Sequence, residues 1–76
     1  MKAKMYSSPG CPACLMLKKF LIENKIKFEE INITENEEYV EELINKSGQR
    51  SIPVLDLNGK IIIGFNPRAI ERELAK

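Results

Sequence analysis

"IPVLDLNGKIIIGF", residues 52–65, decides how the chain is read. Two β-rich runs flank Asn58-Gly59. That pair is the strongest short-range hairpin signal, because both central residues of a type I′ turn take positive φ. The two runs are therefore antiparallel neighbours. Asn66-Pro67 follows directly and starts a helix, with Asn66 as its cap and Pro67 in the first helical position, where no intrahelical partner for an N–H exists. Ala69, Ile70 and Leu74 give that helix an apolar side.

Working back from the hairpin, "KSG" at 46–48 ends a helix, with Gly48 as the left-handed residue. Thr34-x-x-Glu37 reads as the capping box that starts it. Val40, Leu43 and Ile44 point inward, and the glutamates from Glu35 to Glu42 form a solvated face. Before it, "KFEEINI" (27–33) is a strand. Before that, "ACLMLKKFLIEN" (13–24) is rich in helix formers; Leu17, Phe20, Leu21 and Asn24 follow helical spacing, and Ala13 and Met16 extend the stripe. Asn24 and Lys25 end this helix, and Pro12 suits its first position. "AKMYS" (3–7) is the opening strand. The order is β-α-β-α-β-β-α. A β-α-β start implies a right-handed parallel crossover. The expectation is a single α/β domain spanning residues 1–76: a four-stranded mixed sheet with three helices on its two faces.

The bulk composition excludes several classes. With 43% hydrophobic residues the chain is globular, not disordered. The net charge of +1, without a lysine block or any Trp, gives no basic footprint and no stacking platform for nucleic acid. No stretch approaches the ~18 apolar residues of a membrane span. "MKAKMYSS" is too short and too mixed for a signal peptide. A cytoplasmic protein is expected, and a monomer.

Two cysteines, and no others, lie in "PGCPAC" at 9–14. In a reducing cytoplasm such a pair is catalytic or metal-binding rather than a staple, and its very short loop restrains the unfolded chain little. Tetrahedral zinc usually takes four protein ligands, and with no histidine a closed Cys/His site cannot be built from this chain. Metal delivery or iron–sulfur cluster binding through the two thiols, with ligands shared from outside, is the alternative to redox exchange. For exchange the two positions are unequal. Cys11 sits at the mouth of the first helix, whose free N–H groups and dipole favour an anion. Helix N-termini and Cys-x-x-Cys motifs lower a thiol pKa from about 8.5 into the range of roughly 3.5 to 7.5. The thiolate is the attacking species. Cys11 is the expected nucleophile and Cys14, one turn deeper, the resolving thiol. Pro12 stiffens the turn between them.

Tyr6-x-x-Pro9-x-Cys11-Pro12-x-Cys14, then Ser47-Gly48-Gln49-Arg50-Ser51-Ile52-Pro53-Val54, Asn58-Gly59 and Ile62-Ile63-Gly64-Phe65 form an ordered set. Each piece is weak; the set, over nearly the whole chain, resembles the glutaredoxins and small glutaredoxin-like redoxins of the thioredoxin fold. The resemblance implies a thiol–disulfide oxidoreductase that reduces protein or glutathione mixed disulfides, with no bound cofactor. It implies that Pro53 is cis and lies against the cysteine loop, and that Ile52 offers strand-like hydrogen bonds to a substrate backbone. Tyr6 to Pro9 would form the lip of that groove. Arg50, Gly64, Phe65 and Asn66 join Ile52 and Pro53 as the implied ligand-binding set, with no metal ligand among them.

The departures concern the electron donor. The family commonly has a basic residue three positions before the first cysteine, where this chain has Ser8. It commonly has a glycine pair and an acid near the last helix, where this chain has Gly64-Phe65-Asn66-Pro67-Arg68. The Gly-Phe-x-Pro stretch looks like redoxins that serve ribonucleotide reductase and take electrons from thioredoxin reductase. Glutathione and a thioredoxin-reductase-like flavoprotein are therefore both candidate donors, with weak glutathione use expected. Phe65 reads either as a sheet-edge cover or as a ligand contact. Arg50 and Arg68 read either as carboxylate contacts or as solvated charges.

Overall fold

The computed structural model describes residues 2–76. The elements run β1 (Ala3–Ser7), α1 (Pro12–Glu23), β2 (Glu29–Asn32), α2 (Glu37–Ser47), β3 (Val54–Leu57), β4 (Lys60–Ile63) and α3 (Pro67–Leu74). The sheet order is β2-β1-β3-β4. β1 is parallel to β2 and antiparallel to β3, and β3 is antiparallel to β4. This is the mixed four-stranded sheet and element order expected of the thioredoxin fold. The hairpin turn has the positive φ it needs at both positions, 52° at Asn58 and 90° at Gly59. Lys2 N–H donates to Asn58 Oδ1 at 2.8 Å, and Asn58 N–H donates to Lys2 O at 2.8 Å, tying the turn to the start of β1.

Side chains alternate across a strand, so one sheet feeds two cores. Ala3, Met5, Leu55, Leu57 and Ile62 face α1 and α3 and meet Leu17, Leu21 and Ile70. Tyr6, Ile31 and Val54 face the other way and meet Leu43 of α2. Each fully buried aliphatic side chain contributes about 1.5–3 kcal/mol. Leu17 and Leu21 therefore fix α1, and with it the position of its N-terminus over the end of β1.

Four local expectations change. β2 covers Glu29–Asn32, not 27–33, because its parallel register aligns it with β1 only from Lys4↔Glu29 to Ser7↔Asn32. The cap of α2 is Asn36, not Thr34: Asn36 Oδ1 accepts from Glu38 N–H at 2.9 Å. Thr34 is already engaged, since its N–H and Oγ1 both bond Asn32 Oδ1, at 2.9 and 2.6 Å. On α1 the buried line runs through Cys14, Leu17 and Leu21, and Met16 is 55% exposed. The i, i+3, i+7 spacing puts Cys14 on the core face and turns Met16 away. On α2 only Leu43 is buried, and Ile44 lies out at 36% exposure. Asn24, Gly48, Asn66 and Pro67 stand where expected.

Candidate active site

β1 ends at Ser7, and the Ser8-Pro9-Gly10 loop turns the chain into α1 through a positive φ of 75° at Gly10. Cys11 is the N-cap, with φ −102° and ψ 105°. Its Sγ accepts the Cys14 N–H at 3.1 Å, occupying the place a Ser or Asp oxygen usually takes. Leu15 N–H donates to Cys11 O at 3.2 Å and closes the first turn. Cys11 is half-buried, whereas Cys14 is 4% exposed. Their Cα atoms are 5.2 Å apart and the two sulfurs are joined as a disulfide. The helix terminus thus presents N–H groups to one sulfur and apolar packing to the other.

A cavity of about 410 Å³ opens beside the pair, lined by both cysteines together with Ser7, Ser8, Leu15, Glu30, Asn32 and Glu35. The register Met5↔Glu30 and Ser7↔Asn32 brings Ser7, Glu30 and Asn32 to one face of the sheet, the face that carries α1. Ser7 is 3% exposed, and its Oγ donates to Glu30 Oε2 at 3.1 Å. Lys18 of α1 pairs with Glu30 at 3.0 Å. Sequence reasoning missed Glu30, Asn32 and Glu35. The signal that would have found Glu30 and Asn32 is the parallel pairing of β1 with β2, which sets "EIN" beside "MYS"; Glu35 lies in the bend that follows β2. A larger cleft, about 850 Å³, lies between Lys2, Lys27, Phe28 and Asn58 at the other end of β1. It touches neither cysteine and is not where exchange takes place.

Tyr6 is not part of the lip. Alternation places it opposite Met5 and Ser7, on the α2 face, where it is fully buried. Its hydroxyl donates to Glu42 Oε2, and Lys46 Nζ lies 5.5 Å from its ring centroid. Lys46 pairs with Asp56 at 2.7 Å, and Lys4 approaches Glu42 at 3.6 Å. Glu42 is therefore an anchored group, not one more solvated glutamate. Burial, then the Glu42 contact, raises the Tyr6 pKa. The Tyr6 hydrogen bond holds Glu42 below its ordinary value. Burial pushes Asp56 up, but Lys46 and the Gly59 N–H outweigh it, so Asp56 also lies low. Asp56 in turn raises Lys46.

The structure brings only part of the implied ligand set together. The Ile52–Pro53 bond is cis, and Pro53 is buried. Pro53 O accepts from Gly64 N–H at 2.8 Å, joining the start of β3 to the residue after β4, where Gly64 has a φ of 78°. Ile52 is half-buried against the Tyr6 core. Phe65 packs on the α1/α3 core and meets Phe20 edge-on, with centroids 5.9 Å apart and planes at 69°. Asn66 Oδ1 accepts from Ala69 N–H at 3.2 Å as the α3 cap. Arg50 and Arg68 are exposed, and Gln49 finishes its loop by bonding Ser47 and Ser51. None of Arg50, Ile52, Pro53, Gly64, Phe65 or Asn66 lines the cavity that both cysteines share. Among the described residues no group of three or more His, Cys, Asp or Glu side chains is placed to hold a metal ion. Among the same residues no helix is long and apolar enough to cross a membrane.

Residues 3–62 match the glutaredoxin family model. A glutaredoxin-like 8.6 kDa protein from the rubredoxin operon of Clostridium pasteurianum is 36% identical over 73 residues, covering 96% of this chain and 97% of that one. The glutaredoxin-like protein NrdH of Lactococcus lactis strain IL1403 is 43% identical over 72 residues, covering 95% and 93%. Among solved structures, the Escherichia coli NrdH-redoxin superposes with a TM-score of 0.85 at 29% identity, covering 95% of this chain and 93% of that one. Glutaredoxin from Archaeoglobus fulgidus gives a TM-score of 0.87 at 28% identity, covering 97% and 86%.

Proposed function

The chain belongs to the glutaredoxin family and is a thiol–disulfide oxidoreductase; from that premise we propose that Cys11 is its nucleophile, Cys14 its resolving thiol, and proteins with accessible disulfides its substrates. The observation that carries this assignment is the unequal setting of the two sulfurs. Cys11 Sγ is the helix cap, accepting an N–H at 3.1 Å, while Cys14 is 4% exposed. In the reduced protein the same N–H and the positive helix end favour charge on Cys11. The Cys11 thiolate attacks one sulfur of the substrate disulfide, forms a mixed disulfide and expels the other sulfur as a thiolate, which takes up a proton. Cys14, one helical turn away, then gives up its proton and attacks Cys11 Sγ. The mixed disulfide breaks, the second substrate thiolate leaves and is protonated, and the Cys11–Cys14 bond forms. Two electrons pass to the substrate, and no bound cofactor takes part.

A donor must restore the dithiol, and a thioredoxin-reductase-like flavoprotein fits this chain better than glutathione. Phe65 occupies the stretch where a small residue would admit the tripeptide, and it is held there by Phe20. Arg68 stands where an acid would meet the ammonium, and Ser8 where a cation would meet a carboxylate. Losing one charge-assisted contact costs about 1.5–3 kcal/mol, or roughly ten- to a hundredfold in affinity. The Escherichia coli relative is described as having a thioredoxin-like activity profile, which supports the same choice. The proposed setting is a single-domain monomer in the cytoplasm. The test is reduction of a model protein disulfide with glutathione plus glutathione reductase, run beside thioredoxin reductase with NADPH. Turnover with the flavoprotein, and little at micromolar glutathione, is expected; efficient turnover at micromolar glutathione overturns the donor assignment. Stoichiometric iron or copper in protein purified without added metal would favour the carrier reading instead.

A further inference from the structure

We infer that the cavity beside the cysteine pair selects its thiol partner by charge, so that a cysteine flanked by positive groups exchanges with Cys11 faster than a neutral or anionic thiol does. The inference rests on the reading of Cys11 as the exchanging sulfur and adds the kind of partner segment that fits there. Of the side chains lining the cavity, the charged ones are Glu30 and Glu35, and no cation joins them. Glu30 is held in place from two sides, by the buried Ser7 hydroxyl at 3.1 Å and by Lys18 at 3.0 Å. Lys18 does not line the cavity, but its ammonium offsets part of the Glu30 charge, so Glu35 carries the larger share of the cavity's negative field. Glu35 belongs to no helix or strand, and no ion pair to it is found among the described residues. The two carboxylates are not a binding site by themselves. They act on a place already defined, because any partner must bring a sulfur to Cys11, and Cys11 lines the same cavity.

A partly enclosed cleft with a net negative charge focuses the field on what enters it, more strongly than the same charges on an open surface. An incoming ammonium or guanidinium beside the reacting thiol is stabilised there, and a carboxylate is repelled. Leu15, exposed on the cavity wall, supplies apolar contact, so the segment favoured is a cysteine with Lys or Arg neighbours rather than a free cation. The reacting step keeps its ordinary balance. A donor thiolate attacks Cys11 Sγ, the Cys11–Cys14 bond breaks, and Cys14 leaves as a thiolate and is protonated. A second donor thiol then displaces Cys11 and carries away the donor disulfide, so that two donor thiols supply the two electrons.

The test uses three small thiols of similar size: cysteamine (cationic), 2-mercaptoethanol (neutral) and mercaptoacetate (anionic). Each reduces the oxidised full chain under acid quench and mass detection. Rates are referred to thiolate concentration and to the same thiol attacking bis(2-hydroxyethyl) disulfide, which removes differences in intrinsic nucleophilicity. At low ionic strength the cysteamine-to-mercaptoacetate ratio should be about tenfold, and it should shrink towards unity in ~0.5 M salt as screening sets in. Glu35→Gln should reduce the ratio by about two- to threefold, and Glu30→Gln, whose charge Lys18 already offsets in part, by less. Glu30→Gln keeps an oxygen for Ser7, and circular dichroism checks that both variants fold. A ratio near one at low salt, or a ratio unchanged in both variants, overturns the inference. Charge-independent rates with the mixed disulfide still on Cys11 sink this proposal alone. A mixed disulfide on Cys14 sinks the nucleophile assignment, and this inference with it.

Discussion

The two faces of the sheet are built on different terms. On the α1/α3 face the contacts are almost wholly apolar, from Met5, Leu55 and Leu57 to Leu17, Leu21 and Ile70. On the α2 face a smaller apolar cluster is joined by Tyr6, Glu42, Lys46 and Asp56, each with a partner. The apolar face carries the chemistry: α1 delivers Cys14 and Leu15 to the cavity, and α2 contributes no residue to it. Packing of Leu17 and Leu21 is non-directional but strong enough to hold a helix end over a strand end, and the cysteines ride on that helix end. The polar face holds its helix by directed contacts, in which each half-buried group needs its mate. Among the described residues no buried side-chain nitrogen or oxygen is left without one.

The sharpest way to break the comparison is at the sulfurs. Cys11→Ser should lower disulfide reduction to background, whereas Cys14→Ser should trap a mixed disulfide on Cys11, read by mass spectrometry. Faster alkylation of Cys14 than of Cys11 at neutral pH would reverse the roles. Next come the two cores. Leu21→Ala and Leu43→Ala should each destabilise by about 2–5 kcal/mol in urea unfolding, as buried leucines do. Under conditions where both fold, Leu43→Ala should keep the exchange rate and Leu21→Ala should lower it. Equal loss in both would remove the functional distinction between the faces.

A smaller effect sharpens the polar side. Tyr6→Phe deletes a hydrogen bond to a charged group, but Glu42 is partly exposed and keeps Lys4, so a loss of ~1–2 kcal/mol is expected. Glu42 and Asp56 both have depressed folded pKa values. Their contribution is complete above the unfolded carboxylate values and is lost as pH falls below ~4 through the folded ones. The raised Lys46 acts in the other sense, present at neutral pH and lost only at strongly alkaline pH. Urea midpoints measured from pH 7 to 3 should therefore fall less steeply in a Glu42→Gln/Asp56→Asn double variant than in the parent. The smallest difference separates the two candidate caps of α2: Asn36→Ala should cost ~1 kcal/mol in thermal or urea unfolding, and Thr34→Ala clearly less.

Much of this was legible from residue types. Asn58-Gly59, Gly48 and Asn66-Pro67 marked their turns and helix ends because each meets a backbone requirement that few residues satisfy. Thr34-x-x-Glu37 misled because a capping motif competes with its neighbours, and here Asn32 and Asn36 won the N–H groups. The Cys11–Cys14 pair was legible as chemistry, and its unequal burial followed from helical spacing. The cavity wall was not: Glu30 was only one residue of a strand until β2 was laid beside β1, and Glu35 read as part of a solvated face. The packing of Phe65 was not legible for the same reason: it rests on Phe20, forty-five positions earlier in the chain.

By itself the sequence determined the element order, the hairpin, the helix ends and the place of the two thiols at a helix mouth. These depend on φ preferences, capping and period, which act over a few residues. Only the tertiary structure decided which face each strand residue serves, and so that Tyr6 anchors α2 through Glu42 while Ser7 and Glu30 stand beside the sulfurs. The physical reason is alternation combined with register: a shift of one residue exchanges the two faces, and register is set by distant partners.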